Sequence, residues 1–281
     1  MKKIFKGKIR NGNFGNISNE EFEILIDDNY GYAKLDHFPE IDYKSSSYRK
    51  LVNNSSEAAE YFKMHDIEQS GYFHYISKYL NRNSIVADCG CGGGSLLDLI
   101  KGMVSKTIAI EPYLGYHESL INRGHEVYES VELAEKKTNS KPNIALSMQV
   151  IEHTSNPLEY LKSVYNLLLP DSKLILFTPN LNDIMLKLHF EIYAPFFFRT
   201  VHNYYFTAES LVKLGQEAGF KSSEVLFYQD FGLDNTLYWM KENSPNKNRI
   251  IDGIDENANK MWKNYLEMTG QSYNVGIVLS K

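Results

Sequence analysis

The sequence predicts an α/β fold built on an open, doubly wound sheet. Three observations carry that expectation. Between residues 84 and 280, short apolar runs alternate with stretches of helical periodicity, the pattern of strands joined by crossover helices. One run, SIVAD (84–88), leads directly into the glycine turn CGCGGG (89–94) and then into a helical pattern. The next run, KTIAIE (106–111), closes on an acidic residue, Glu111, at its tip.

The elements follow in order. Residues 1–50 are polar and rich in Gly, Asn and Ser, and read as short hairpin-like or irregular structure. Ser55 or Ser56 is expected to cap a helix that runs through Glu57 and Tyr61 to about Leu80, where Asn81, Arg82 and Asn83 break it. The first strand is 84–88, followed by a helix over 94–102 that ends at Gly102. The second strand is 106–111, followed by a helix over 116–124 stopped by a glycine. HEVYE (125–129) and NIALSMQ (143–149) are the third and fourth strands. NPLEYLKSVYNLLLP (156–170) is a helix with Pro near both ends, and SKLILFTPN (172–180) is the fifth strand. Thr207 caps a helix that ends at Gly219, and SSEVLFYQ (222–229) is the sixth strand. A helix over 255–268 and a strand over 272–280 complete the chain. Ligands bind such sheets outside the carboxyl ends of the strands. The tips after Asp88, Glu111, Glu129, Gln149 and Pro179 therefore form the expected site edge.

Bulk properties narrow the function. A length of 281 residues suits one domain with decorations, or one large and one small domain. A hydrophobic content of 43% and a charged content of 23% support an ordinary core. A net charge of −5 without a long Lys/Arg run argues against a nucleic-acid partner. Both cysteines, Cys89 and Cys91, sit in the glycine turn. That excludes a disulfide framework and fits a reducing compartment, so a cytoplasmic location is expected. The basic N-terminus lacks the apolar region of a signal peptide, and no window approaches the roughly 18 apolar residues of a spanning helix.

Asp88 and the alternating Gly90, Gly92 and Gly94 form a D-x-G-x-G-x-G run, which differs from the dinucleotide fingerprint G-x-G-x-x-G. A glycine turn lets a ligand touch main chain, and the following helix presents free N–H groups. A carboxylate at the Glu111 tip can accept hydrogen bonds from both hydroxyls of a ribose. The alternative is a tight structural turn beside a solvated Glu111.

With these motifs the chain resembles the class I S-adenosylmethionine-dependent methyltransferases. IVADCGCGGGSLLDL, IAIEP, NIALSMQVIEH, LLLPDSKLILFTPN and HNYYFTAESLVKLGQEAGF carry the resemblance, which covers about residues 55–280. The branch of sugar and quinone-precursor methyltransferases is the most similar. NYGYAKLDHFPEIDY (29–43) resembles a segment found ahead of some sugar methyltransferases. The resemblance implies a Rossmann-like, seven-stranded sheet whose last strand is antiparallel and inserted beside the sixth. It divides the chain into an N-terminal extension, 1–54, and a methyltransferase domain, 55–281, with a lid insertion at 181–206. It implies S-adenosylmethionine as the methyl donor. Gly90 and Gly92 would lie against its methionine part, and Asp88 would hold its amino group. Glu111 would hold the ribose, with Pro112 and Tyr113 beside the adenine and Glu129 or Ser130 at the adenine edge. Ser147, Met148 and Gln149 would close the site beside the sulfonium. Cys89 and Cys91 read as small packing residues, because C-x-C alone makes no convincing metal site.

Methyl transfer from a sulfonium is an in-line displacement that needs alignment and, for an alcohol, a base. The candidate bases are His153, beside Glu152 after the fourth strand, and His202, in RTVHNYYFT. In relatives that act on sugars, a histidine in the second segment can serve as base. His202 is favoured slightly over His153; against these roles, His153 reads as a packing or capping residue and His202 as a surface histidine on an aromatic loop. Some quinone-precursor enzymes bind a divalent metal with a further Glu three residues before the Glu-His pair. Gln149 stands there, so no metal is expected. The insertion over 181–206 is rich in aromatics and broken by Pro195. It reads as a lid over a sugar or aromatic acceptor, with a homodimer interface, a membrane-surface contact or an ordinary packed helix as alternatives.

The expected activity is O-methylation of a sugar or sugar nucleotide in bacterial surface-polysaccharide synthesis. A phenolic, quinone-like or amine acceptor is the first alternative. A non-catalytic S-adenosylmethionine-binding partner protein is the second.

Overall fold

A computed structural model describes residues 1–12, 15–51, 57–245 and 251–281. Strands β1 (Lys2–Arg10) and β2 (Ile17–Ile26) form an antiparallel hairpin, and β3 (Ala33–Leu35) pairs with β2. Helices α1 (Ser46–Leu51) and α2 (Ala58–Ile76) lead into the main sheet. The expected Ser55 or Ser56 cap lies outside the described residues. The alternating part then runs β4 (Ile85–Cys89), α3 (Ser95–Ile100), β5 (Lys106–Ile110), α4 (His117–Asn122), β6 (Glu126–Tyr128), α5 (Val131–Lys137) and β7 (Ile144–Met148). It continues as α6 (Pro157–Leu167), β8 (Lys173–Pro179), α7 (Ile184–Leu188), α8 (Phe190–Phe197), β9 (Tyr204–Tyr205), α9 (Ala208–Glu217) and β10 (Ser222–Tyr228). Helices α10 (Leu233–Glu242) and α11 (Glu256–Met268) precede the last strand, β11 (Asn274–Ser280).

The main sheet has seven strands in the order β10-β11-β8-β7-β4-β5-β6. The strands from β6 to β8 run parallel. β11 is inserted antiparallel between β8 and β10, as the resemblance implies. Its central strands are apolar on both faces because helices cover both, which is the condition for a parallel sheet. Strand order reverses between β4 and β7, so the chain leaves the sheet toward opposite faces there and opens a crevice at the strand tips.

Local chemistry sets the helix ends. Asn156 accepts from the N–H groups of Leu158 and Glu159 at the start of α6, and Pro157 occupies its first turn. Thr207 and Ser210 form a reciprocal capping box at α9, and Gly219 follows its end with φ of 107°. Gly102 does not end a helix: α3 stops at Ile100 and one 3₁₀ turn follows. Helices α5 and α10 lie in segments for which the sequence predicted no element.

The N-terminal residues are more regular than expected. β9, from the insertion, pairs with β3, giving a second sheet in the order β1-β2-β3-β9. Ile9, Phe22, Ile24 and Leu35 pack there with Phe197, Phe198, Tyr205 and Trp239 as a separate core. Most aromatics of the insertion are thus interior residues of a layer shared with the N-terminal hairpin. No helix among the described residues is long and apolar enough to cross a membrane.

Candidate active site

A cavity of about 890 Å³ opens at the tips of β4 to β7. Pockets for a single small ligand run from about 300 to 1,000 Å³, so this one is near the upper end. Gly90, Gly92, Glu111, Pro112, Glu129, Ser130, Met148 and Gln149 line it, as do His153 and His202. Further walls come from Tyr43, Tyr48 and Arg49 ahead of the main sheet, Tyr61 and Tyr72 on α2, and Tyr193, Phe196 and Arg199 in the insertion.

The glycine turn is folded back on β5, where Gly90 and Cys91 donate N–H groups to the Ile110 carbonyl at 2.7 and 3.2 Å. Gly90 and Gly92 have φ of 81° and 56°. A Cβ would lie 2.5 Å from Val150 Cγ2 at the first and 2.4 Å from the Tyr61 hydroxyl oxygen at the second. Glycine is therefore required twice over, by backbone conformation and by close approach.

Glu111 is 2% exposed. Its Oε2 accepts from Gly92 N at 2.9 Å, its Oε1 accepts from Tyr113 N at 2.8 Å, and the Arg49 guanidinium on α1 donates to Oε1. The solvated carboxylate of the alternative reading is not what the structure contains. A ribose clasp through both oxygens requires the Arg49 contact to yield, because Tyr113 and Arg49 already share Oε1. Asp88 sits behind this carboxylate, and burial together with the Glu111 charge raises its pKa to about 7.

Four residues expected at the site do not line the cavity. Asp88 is buried beneath the turn, and Gly94 is the N-cap just ahead of α3. Ser147 Oγ hydrogen-bonds the Tyr160 hydroxyl at 2.7 Å, below the surface. The Tyr113 ring packs edge-on against Tyr116 at 5.0 Å. Gln149 takes a left-handed backbone, with φ of 57°. Its Nε2 donates to the Tyr72 hydroxyl at 3.0 Å and to Asn274 Oδ1 at 2.9 Å, so this amide holds α2 against β11. Both cysteines are buried and free, and burial raises both thiols far above their ordinary range.

The two histidines come together, with ring centroids 4.8 Å apart. His153 Nδ1 lies 2.6 Å from the Val201 carbonyl oxygen. A carbonyl only accepts, so Nδ1 carries the proton and Nε2 keeps its lone pair. Burial lowers the His153 pKa to about 4, with Arg199 and Arg49 adding to the effect. Burial, then His153 and Arg199, hold His202 well below its ordinary value. Glu152 is fully buried, accepts from Thr178 Oγ1 at 2.9 Å, and is raised to about 7 by burial. Glu152, His153 and His202 each offer a ligand atom within 4.8 Å of the others, a three-ligand set that the sequence, read at Gln149, did not suggest.

Sequence reasoning missed Arg49, Tyr43 and Tyr61. Tyr43 donates its hydroxyl to the His153 carbonyl at 3.1 Å, which carries the N-terminal segment into the site. Tyr43 ends the 29–43 segment but nothing there marks it as a site residue, and no motif marks Arg49 or Tyr61, because their proximity to the strand tips arises from chain folding.

A reversed last strand, a glycine turn at the tip of β4 and a buried carboxylate at the tip of β5 together define the S-adenosylmethionine-dependent methyltransferases as a class. The chain belongs to the methyltransferase-domain family, whose model matches residues 66–225. S-Adenosylmethionine, the methyl donor that the resemblance implies, would lie along Gly90 and Gly92, which line the cavity, with Val150 packed on the first glycine and Tyr61 on the second. A curated relative, the ubiquinone biosynthesis O-methyltransferase of Ruegeria pomeroyi, is 26% identical over 145 residues. That match covers 47% of this chain and 58% of the relative, so the chain spans little more than half its length. The fold is similar to a SAM-dependent methyltransferase from Archaeoglobus fulgidus, with a TM-score of 0.53 and 15% identity over 84% of this chain and 98% of that one. A SAM-dependent methyltransferase from Thermotoga maritima gives the same TM-score, with 19% identity over 83% and 97%.

Proposed function

We propose that the protein methylates a hydroxyl oxygen of a sugar or nucleotide-linked sugar, with His153 as the base, in the synthesis of a surface polysaccharide. The observation that carries the reading is the His153 tautomer: Nδ1 donates to the Val201 carbonyl, which leaves Nε2 as the ring's proton acceptor on a residue that lines the cavity. The bound S-adenosylmethionine supplies an electrophilic methyl group on a good leaving group. The chain aligns the acceptor and receives its proton at Nε2 as the oxygen–carbon bond forms and the carbon–sulfur bond breaks. His202 packs against His153 and positions its ring. The O-methyltransferase identity of the curated relative agrees with transfer to oxygen.

His153→Gln tests the assignment. Turnover should fall by about 10²–10⁴-fold while S-adenosylhomocysteine affinity holds. A variant with full turnover removes His153 from the role. A phenolic or quinone-like acceptor is the second reading, supported by the aromatic wall in which Phe196 meets Trp239 with centroids 4.7 Å apart. An acceptor screen read by S-adenosylhomocysteine release separates the two.

A further inference from the structure

Next to the histidine pair, the cavity wall carries two guanidinium groups, Arg10 at the end of β1 and Arg199 in the insertion. Main-chain pairing puts them there. Arg10 N donates to the Phe198 carbonyl at 3.1 Å, Thr200 N donates to the Arg10 carbonyl at 2.9 Å, and residues 10 and 199 form a β-bridge. The Arg10 guanidinium lies 4.0 Å from the Phe196 ring centroid, and Arg199 Nη2 donates to the Tyr273 hydroxyl at 3.0 Å. Burial and the Arg199 charge pull Arg10 down to about 10, which leaves both groups charged near neutral pH. The two like charges repel, the buried Glu152 carboxylate offsets part of the Arg199 charge, and an anion held between the two guanidiniums would relieve the remaining repulsion. Planar guanidinium forks match phosphate oxygens, and a phosphoryl group brings close to two negative charges and three acceptor oxygens.

We propose that Arg10 and Arg199 grip a phosphoryl group of the acceptor, so that the methylated hydroxyl belongs to a phosphorylated or nucleotide-linked sugar. This rests on the reading of the cavity as a hydroxyl-acceptor site. It assigns the N-terminal sheet a recognition role, because Arg10 is that sheet's contribution to the wall. The phosphoryl group is held and undergoes no chemistry.

Titration of the S-adenosylhomocysteine-loaded protein with UDP-glucose, glucose 1-phosphate, glucuronate and glucose tests it. Both phosphorylated ligands should bind at least about tenfold tighter than glucose and glucuronate, with affinity that falls steeply as salt rises. Arg10→Gln should weaken the phosphorylated ligands by at least about tenfold, and Arg10→Lys by less, because the ammonium keeps the charge and loses the fork. Arg10 is chosen because the Arg199 guanidinium is engaged by Tyr273, so that its replacement disturbs the packing of the wall; an unchanged S-adenosylhomocysteine affinity checks that each variant is intact. Glucuronate binding as tightly as glucose 1-phosphate would overturn the phosphoryl assignment, and so would equal binding of glucose or an Arg10→Gln variant that binds like the parent. Methyl transfer to a neutral sugar without phosphate dependence would retain the proposed function and sink only this extension. Phosphate-dependent binding without any hydroxyl methylation would leave the arginine grip on phosphate standing and sink the proposed function, together with the assignment of the methylated hydroxyl.

Discussion

Glu111 shows how one carboxylate serves both fold and ligand. Its four lone-pair sites are divided among two main-chain N–H groups, a guanidinium and the cavity. Glu111→Gln keeps the shape, loses the charge, and should weaken S-adenosylhomocysteine binding at least about tenfold by calorimetry. Glu111→Ala is a poorer test: both changes leave the buried Arg49 charge uncompensated, and Ala also deprives the Gly92 and Tyr113 N–H groups of their acceptor. The Glu152, His153 and His202 set invites a second measurement. We expect dialysis against EDTA to leave turnover unchanged, because the charge that Gln149 fails to supply leaves a single carboxylate in the set. Loss of activity that magnesium restores would assign a metal to the three. The position of Glu111 was readable from sequence because strand, turn and acidic tip are local. Its partner was not: Arg49 is 62 positions away and belongs to no motif.

At the scale of elements, caps and strand tips carry the energetics. Asp183 caps α7, with Oδ1 accepting from Met185 N at 2.8 Å and Oδ2 from the Tyr193 hydroxyl at 3.1 Å. Burial raises its pKa to about 7. An acid raised on folding binds its proton more tightly in the native state, so its stabilising contribution is full below the unfolded value and fades as pH rises through about 7. Asp183→Asn removes that dependence. Melting curves at about pH 5 and about pH 8 should show the Tm difference moving in the variant's favour by several degrees, from a term of at most about 4 kcal/mol. Asn156→Ala should lower stability by about 1 kcal/mol through loss of the α6 cap. Capped, periodic elements such as α6 and α9 were evident in the sequence. Helices α5 and α10 were not: α5 is only seven residues long, and α10 starts at Gly232 without a side-chain cap.

For the whole molecule, the two sheets divide the work. The seven-stranded sheet builds the donor edge, and the four-stranded sheet closes the cavity from the other side through Arg10 and the insertion. Removing residues 1–36 should strip β1 to β3 from Phe198 and Tyr205, both wholly buried, and leave an unstable, aggregating chain by thermal shift and light scattering. A folded truncation with the parent Tm would show the layer to be dispensable. The order of the alternating elements, the glycine turn and the acidic tip followed from the residues themselves, because periodicity, glycine sterics and capping act within a few positions. The union of the N-terminal hairpin with the insertion, the Arg49–Glu111 pair, the meeting of His153 with His202 and of Arg10 with Arg199 arose only on folding. The physical reason is that strand pairing and packing between distant segments depend on mutual fit in space, which no local pattern in the chain encodes.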